Sequence, residues 1–171
     1  MTLTEAISNL KLLEGGIGTE PDGQAVNEGI DQSSWDLYCL GKGIPTQSVD
    51  TLTPEQIAAF YGESYWFPLR CDMLPDPIPF ALFQYELNTS GAGAKGRAVR
   101  DLQLVLGVAP DGIMGPLTVE AARNNPDPKK VTLLLLDRQD AWYEELWKAN
   151  PEDPIKGWEN RVATTKQILG L

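Results

Sequence analysis

Apolar residues recur along this chain at intervals of three and four, and that spacing confines it to a helical fold. Val131, Leu135, Arg138, Trp142, Leu146 and Ala149 fall on one face of the longest predicted helix, which Asp127-Pro128 opens. At the start of the chain, Leu3, Ile7 and Leu10 share a stripe, Thr2 and Glu5 form a capping box, and Gly15-Gly16 ends the helix. Thr53-Pro54-Glu55-Gln56 places a cap, a first-turn proline and a reciprocal glutamine ahead of a helix running to about Trp66, with the aromatic stripe Phe60, Tyr61, Tyr65. Asp31 caps a short helix ending at Gly41. Further helices are predicted from about Pro77 to Asn88, from Gly96 to Leu106, after a turn at Asp111–Pro116, and from Pro154 to Leu169. Residues 17–30 instead carry Gly, Pro, Asp and Asn at turn-forming density, and are expected to form a loop or irregular hairpin. The predicted fold class is all-α or mostly α.

At 171 residues the chain can bury roughly 70% of its unfolded surface. It shows no fixed-period repeat or long linker. The Ser90–Lys95 stretch is the weakest join, and divides an N-terminal site-bearing lobe (1–90) from a C-terminal helical lobe (91–171), the two expected to pack as one compact unit. Composition then removes whole classes of chemistry. The chain contains no histidine, which excludes Ser-His and Cys-His nucleophile pairs, histidine general bases and histidine-ligated zinc. A net charge of −10 with no Lys/Arg run excludes electrostatic nucleic-acid binding. The longest apolar stretch, Leu133–Leu136, is too short to insert in a membrane, and no secretory signal is visible at the start. Cys39 and Cys71 read as buried free thiols, no metal or cofactor is called for, and a monomer is expected. Chemistry is left to carboxylates, hydroxyls, lysine and backbone groups.

Among the carboxylates, Glu14 has the most unusual setting. Leu3, Ile7, Leu10 and Glu14 follow spacings of four, three and four, so an acid ends an apolar stripe. Burial and the negative end of the helix dipole both disfavour its ionised form and raise its pKa toward general-acid duty, while Lys11, one turn earlier, opposes the shift. A solvated glutamate at a fraying helix end is the competing reading. A glycosidase needs a second group to hold water or stabilise an oxocarbenium-like transition state, and the loop supplies Glu20, Asp22, Glu28 and Asp31, each of which also has an ordinary turn role.

The run Leu12-Leu13-Glu14-Gly15-Gly16, followed by Asn27-Glu28-Gly29-Ile30, Tyr65-Trp66 and Cys71-Asp72-Met73-Leu74-Pro75, resembles glycoside hydrolase family 108, the lysozyme-like muramidases of phages and bacteria. The C-terminal half, with Leu102-Gln103, Leu106-Gly107-Val108, Asp111-Gly112, Gly115-Pro116, Thr118 and Gly157-Trp158-Glu159-Asn160-Arg161, resembles the peptidoglycan-binding region that accompanies the family. The resemblance implies a lysozyme-like helical fold, peptidoglycan as partner and Glu14 as catalytic acid. Glu20, before Pro21, stands for the family's acidic-Pro step, and Asp31 for a water-holding hydroxyl; Asp22, Asn27, Tyr65 and Asn88 are the substrate-binding candidates. Ile17, a loop shorter by about two residues, Val26 and Asp31 depart from the pattern, and Gln84 stands where the family has an acid. The missing histidines point the same way, because zinc and Cys-His wall-degrading enzymes need imidazole and a muramidase does not. The expected function is cleavage of the N-acetylmuramic acid to N-acetylglucosamine bond, for phage-type host lysis after synthesis in the cytoplasm and release through a holin-type pore or from a virion. A non-catalytic wall-binding or virion-associated protein and a lytic transglycosylase are the alternatives.

Overall fold

Local capping places the helices where the side chains prescribe them. The computed structural model describes residues 1–14, 18–19, 25–91, 93–151 and 155–171. Its backbone divides into two compact units, one of residues 2–64 and one of residues 65–171 with Met1.

In the smaller unit, α1 (Leu3–Glu14) opens on the expected box: the Thr2 amide donates to Glu5 Oε2 at 2.7 Å and the Glu5 amide to Thr2 Oγ1 at 3.3 Å. Ala6, Ile7 and Leu10 are its buried face. The turn-rich segment contains a small antiparallel sheet of three strands, β1 (Gly18–Thr19), β2 (Ala25–Asn27) and β3 (Ile30–Asp31), in that order. Asn27 pairs with Ile30 across a two-residue turn in which Glu28 (φ 53°) and Gly29 (φ 84°) are both left-handed. A turn of that kind matches the right-handed twist of the strands and sets their register. The fold is therefore mostly α, with a hairpin beside the N-terminal helix.

Asp31 caps α2 (Gln32–Lys42), which closes on left-handed Gly43 (φ 65°), whose amide reaches the carbonyls of Cys39 and Leu40. One turn of 3-10 helix follows at Val49–Thr51. The capping box of Thr53 and Gln56 starts α3 (Pro54–Tyr61), and the helix continues as a π-helical turn over Gly62–Trp66, so it reaches its expected end in a wider coil than the sequence predicts. Trp35, Tyr38, Phe60 and Tyr61 form the aromatic core here; Phe60 meets Tyr38 and Tyr61 edge-on, each at 5.4 Å between ring centres.

The larger unit holds α4 (Ile78–Gly91), α5 (Arg97–Leu106), α6 (Pro116–Asn124), α7 (Pro128–Ala149) and α8 (Ile155–Leu169). α7 is its axis, packing on α4, α5 and α8. Val131, Leu135 and Trp142 are buried as the spacing predicts, but Ala149 is exposed and Arg138 does not join the apolar face. Arg138 Nε instead donates to Oδ1 of Asp101 at 2.8 Å, while the Tyr85 hydroxyl donates to Oδ2 at 2.8 Å and Arg97 Nε lies 3.4 Å from the same oxygen. One buried carboxylate thus joins α4, α5 and α7. Burial, reinforced by this carboxylate, pushes the Tyr85 phenol far above its ordinary range. Arg97 also lies over the Trp142 ring, 5.6 Å from its centre. Deeper still, Gln84 and Gln139 exchange amide hydrogen bonds at 2.7 and 3.2 Å, which explains why an amide occupies position 84: its partner is another amide. Cys39 and Cys71 are both buried and free.

Removing a carboxylate that answers two arginines and a phenol leaves buried donors unpaired. Asp101→Ala is expected to cost about 3 kcal/mol, the lower end of the range for breaking a buried pair because Arg138 is partly solvated. Urea denaturation checks this, and a loss under about 1 kcal/mol contradicts the role assigned to Asp101.

Candidate functional site

The candidate site lies where the end of α1 meets the β2–β3 hairpin, inside the smaller unit. Lys11, in the last turn of α1, places Nζ 2.7 Å from Glu28 Oε1. A glutamate at positive φ carries a backbone cost of roughly 1 kcal/mol, so tertiary contacts must hold it there. Two do: the Lys11 ion pair on its side chain, and the Tyr61 hydroxyl, which donates to the Glu28 carbonyl at 2.5 Å. Helix, hairpin and α3 are therefore tied at one residue.

Glu14 is the last residue of α1, three positions after Lys11; its backbone is helical and its side chain lies outside the described residues. Glu20 and Asp22 also lie outside the described residues. Asp31 is described in full. Its Oδ1 accepts from the Ser34 amide at 2.8 Å and the Ser33 hydroxyl at 2.5 Å, and its Oδ2 accepts from the Ser34 hydroxyl at 2.7 Å. Partial burial pushes the Asp31 pKa upward, but these serine bonds together outweigh it and hold the carboxyl below the ordinary range. Asp31 is thus a firmly ionised, fixed negative charge at the base of the hairpin.

The remaining candidates sit in scaffolding contacts. Asn27 is buried, and its Nδ2 donates to the Val49 carbonyl at 2.8 Å, pinning the 3-10 turn against β2. Half-buried Asn88, on α4, accepts from the Tyr143 hydroxyl at 2.9 Å, and that hydroxyl accepts from Gln139 at 2.7 Å, so the residue ends a chain that begins at Gln84. Tyr65 is half-buried in the π-helical turn, its carbonyl accepting from the Leu69 amide at 2.9 Å. Within the smaller unit the structure gathers the end of α1, Asn27 and Asp31 around one hairpin; Tyr65 and Asn88 belong to the larger unit. The roles of Glu28 and Tyr61 in tying this hairpin were missed by sequence reasoning. Glu-Gly at a two-residue turn was the available signal, but glutamate is an unusual occupant of a left-handed position, where Asn, Asp or Gly is the rule.

A second polar centre organises the Asp111–Pro116 turn. Buried Gln103 donates from Nε2 to Asp111 Oδ1 (2.7 Å), the Ile113 carbonyl (3.0 Å) and Thr118 Oγ1 (3.1 Å), and its Oε1 accepts from the Gly112 amide (2.9 Å). Gly112, at φ 77°, faces the Arg100 guanidinium so closely that a Cβ would meet Nε at 3.0 Å. The left-handed φ is what calls for the glycine, since the Arg100 side chain can give way by a few tenths of an ångström. Among the described residues, no cluster of three or more His, Cys, Asp or Glu could hold a metal ion, and no helix is long and apolar enough to cross a membrane.

Comparison with known proteins accounts for both regions. Residues 8–90 match the family model Glycosyl hydrolase 108, and residues 97–163 match that of a Predicted Peptidoglycan domain. Among solved structures, SagA of Brucella abortus superposes with a TM-score of 0.70 at 26% identity, over 98% of this chain and 94% of that one. No curated protein matches the chain.

The cap at Asp31 carries a measurable pH signature. Asp31→Ala is expected to lower stability by about 1–2 kcal/mol at neutral pH, through loss of the helix cap. Because the folded-state pKa is depressed, that contribution is fully present above the ordinary aspartate value of 3.8 and fades as pH falls below it through the folded-state value. Denaturation of both proteins across an acid series checks this; a difference that stays constant into strong acid contradicts an ionised cap.

Proposed function

We propose that this chain, a glycoside hydrolase acting on peptidoglycan whose residues 8–90 match the Glycosyl hydrolase 108 model, is a muramidase whose proton donor is Glu14. The observation that carries the proposal is that Glu14-Gly15-Gly16 lies inside the matched hydrolase region, at the end of a helix whose last-turn lysine, Lys11, is paired with Glu28. Lys11 opposes a raised Glu14 pKa only as far as its charge is free, and Glu28 at 2.7 Å neutralises much of it. The apolar spacing of Leu3, Ile7, Leu10 and Glu14 in the sequence and the negative end of α1 both favour a protonated acid at this position.

In this reading Glu14 transfers its proton to the glycosidic oxygen as the bond to the anomeric carbon of N-acetylmuramic acid breaks. Water adds to that carbon, and a carboxylate takes up the proton it releases. Glu20 and Asp31 are the proposed second groups. Asp31, held ionised by Ser33 and Ser34, is suited to stabilising positive charge developing on the sugar. Asp22, Asn27, Tyr65 and Asn88 are proposed to border the glycan path. We place the functional division near residue 90, where the hydrolase match ends, rather than at Ser64, where the packing units divide. By this division α4 serves the hydrolase while packing against α5 and α7. A role in phage-type host lysis, with release from the cytoplasm through a holin-type pore or delivery in a virion, is proposed on the chemistry alone.

A zymogram of purified wall tests the assignment. Wild type is expected to clear the gel and Glu14→Gln to lose at least roughly 100-fold in rate, the scale of general-acid catalysis. Clearing by Glu14→Gln at the wild-type rate removes Glu14 from the mechanism. Mass spectrometry of the fragments reads the outcome of cleavage: reducing ends support hydrolysis, and ends lighter by one water identify a transglycosylase.

A further inference from the structure

The Gln103-organised turn borders a groove of about 630 Å³ that the proposed reaction does not use. Its walls are aliphatic, from Val108, Ala109, Ile113, Leu117 and Ala121, and none of its lining residues is aromatic. Ile113 and Leu117 are 68% and 75% exposed, too open to be core. The only charged side chains lining it are Asp111 and Glu120. Oδ1 of Asp111 accepts from the Ile113 amide at 2.8 Å as well as from Gln103, so its charge is fixed in place. The whole groove falls within the region matching the peptidoglycan domain.

These features discriminate among the parts of the wall polymer. Pyranose rings commonly stack on aromatic faces, and the lining of this groove has none. A second copy of this chain would bring a net charge of −10 to a rim that holds Asp111 and Glu120, with Arg100 packed beside Asp111 at Gly112. The stem peptide carries carboxylates of its own, but its alanine methyls fit the walls and its side-chain amine can reach the two rim acids while those carboxylates stay in solvent. We infer that this groove binds the peptide stem of peptidoglycan, with alanine methyls on the Val108, Ile113 and Leu117 wall and the side-chain amine of the diamino acid on Asp111 and Glu120. The inference rests on the peptidoglycan-hydrolase reading and adds to it that the C-terminal region recognises peptide rather than sugar.

The test uses the full chain and the free stem peptide L-alanyl-D-glutamyl-diaminopimelyl-D-alanine, followed by calorimetry. The peptide has no glycosidic bond, so the result is independent of hydrolysis: failed binding leaves the muramidase reading standing, and a failed zymogram leaves binding untouched. The stem is expected to bind. Leu117→Ser, at an exposed position that leaves the fold intact, is expected to weaken binding about tenfold by removing apolar contact. Glu120→Gln and acetylation of the peptide's side-chain amine are each expected to weaken it, with no further loss when combined. The peptide-free disaccharide is expected not to bind. Binding of the disaccharide in place of the stem, equal affinity of Leu117→Ser and wild type for the peptide, or a self-association abolished by Leu117→Ser each overturns the inference.

Discussion

Lys11 and Glu28 join the end of the first helix to the tip of the hairpin, and the proposed chemistry of the N-terminal unit depends on that contact. The pair acts in two ways. It helps hold a glutamate in a left-handed conformation, which sets the turn, the β2–β3 register and hence the position of Asp31. It also engages the cation standing one helical turn before Glu14 in the sequence, which in the proposed mechanism weakens that lysine's pull toward an ionised acid. The Tyr61 hydroxyl on the Glu28 carbonyl anchors the same residue to α3. Structure and electrostatics are thus set by one glutamate that need not touch the substrate.

The larger unit solves a different problem with the same means. Its helices carry buried polar side chains that an apolar core would not tolerate unpaired: Asp101, Gln84, Gln139 and Gln103. Each is matched to partners on another element or turn. Asp101 gathers Tyr85 from α4 and Arg138 from α7, and Gln103 satisfies four groups around a turn that has no strand or helix of its own. Such networks specify one arrangement of helices, because sliding α4 or α5 along α7 would strand several buried donors together. They also leave the surface of that turn free of structural duty, which is where the aliphatic groove opens.

What could be read from the sequence was what is local. The boxes at Thr2 and Glu5 and at Thr53 and Gln56, the cap at Asp31 and the stripe through Val131, Leu135 and Trp142 each depend on residues within a turn or two, and each took its expected form. Contacts across the chain were hidden. Arg138 falls on the apolar spacing but answers a carboxylate 37 residues away, and Gln84 pairs with Gln139, 55 residues away. The candidate site divides likewise. Asn27 was legible as a residue of the hairpin, Asp31 as the cap after it and Glu28 as one of the loop acids, whereas the role of Glu28 as the tie became visible only once Lys11 and Tyr61 were seen to converge on it. No spacing rule places a glutamate at positive φ, since it is the tertiary contacts that make that conformation tolerable.

The central claim is that the carboxyl ending α1 is kept protonated until a glycosidic oxygen receives its proton. Carbon-13 NMR of the side-chain carboxyl in glutamate-labelled protein, assigned by comparison with Glu14→Gln, measures this without any substrate. The account predicts that Glu14 titrates above the ordinary glutamate value of about 4.3, and that Glu28→Gln lowers its midpoint by freeing Lys11. A Glu14 midpoint at or below the ordinary value, unmoved by Glu28→Gln, would contradict it.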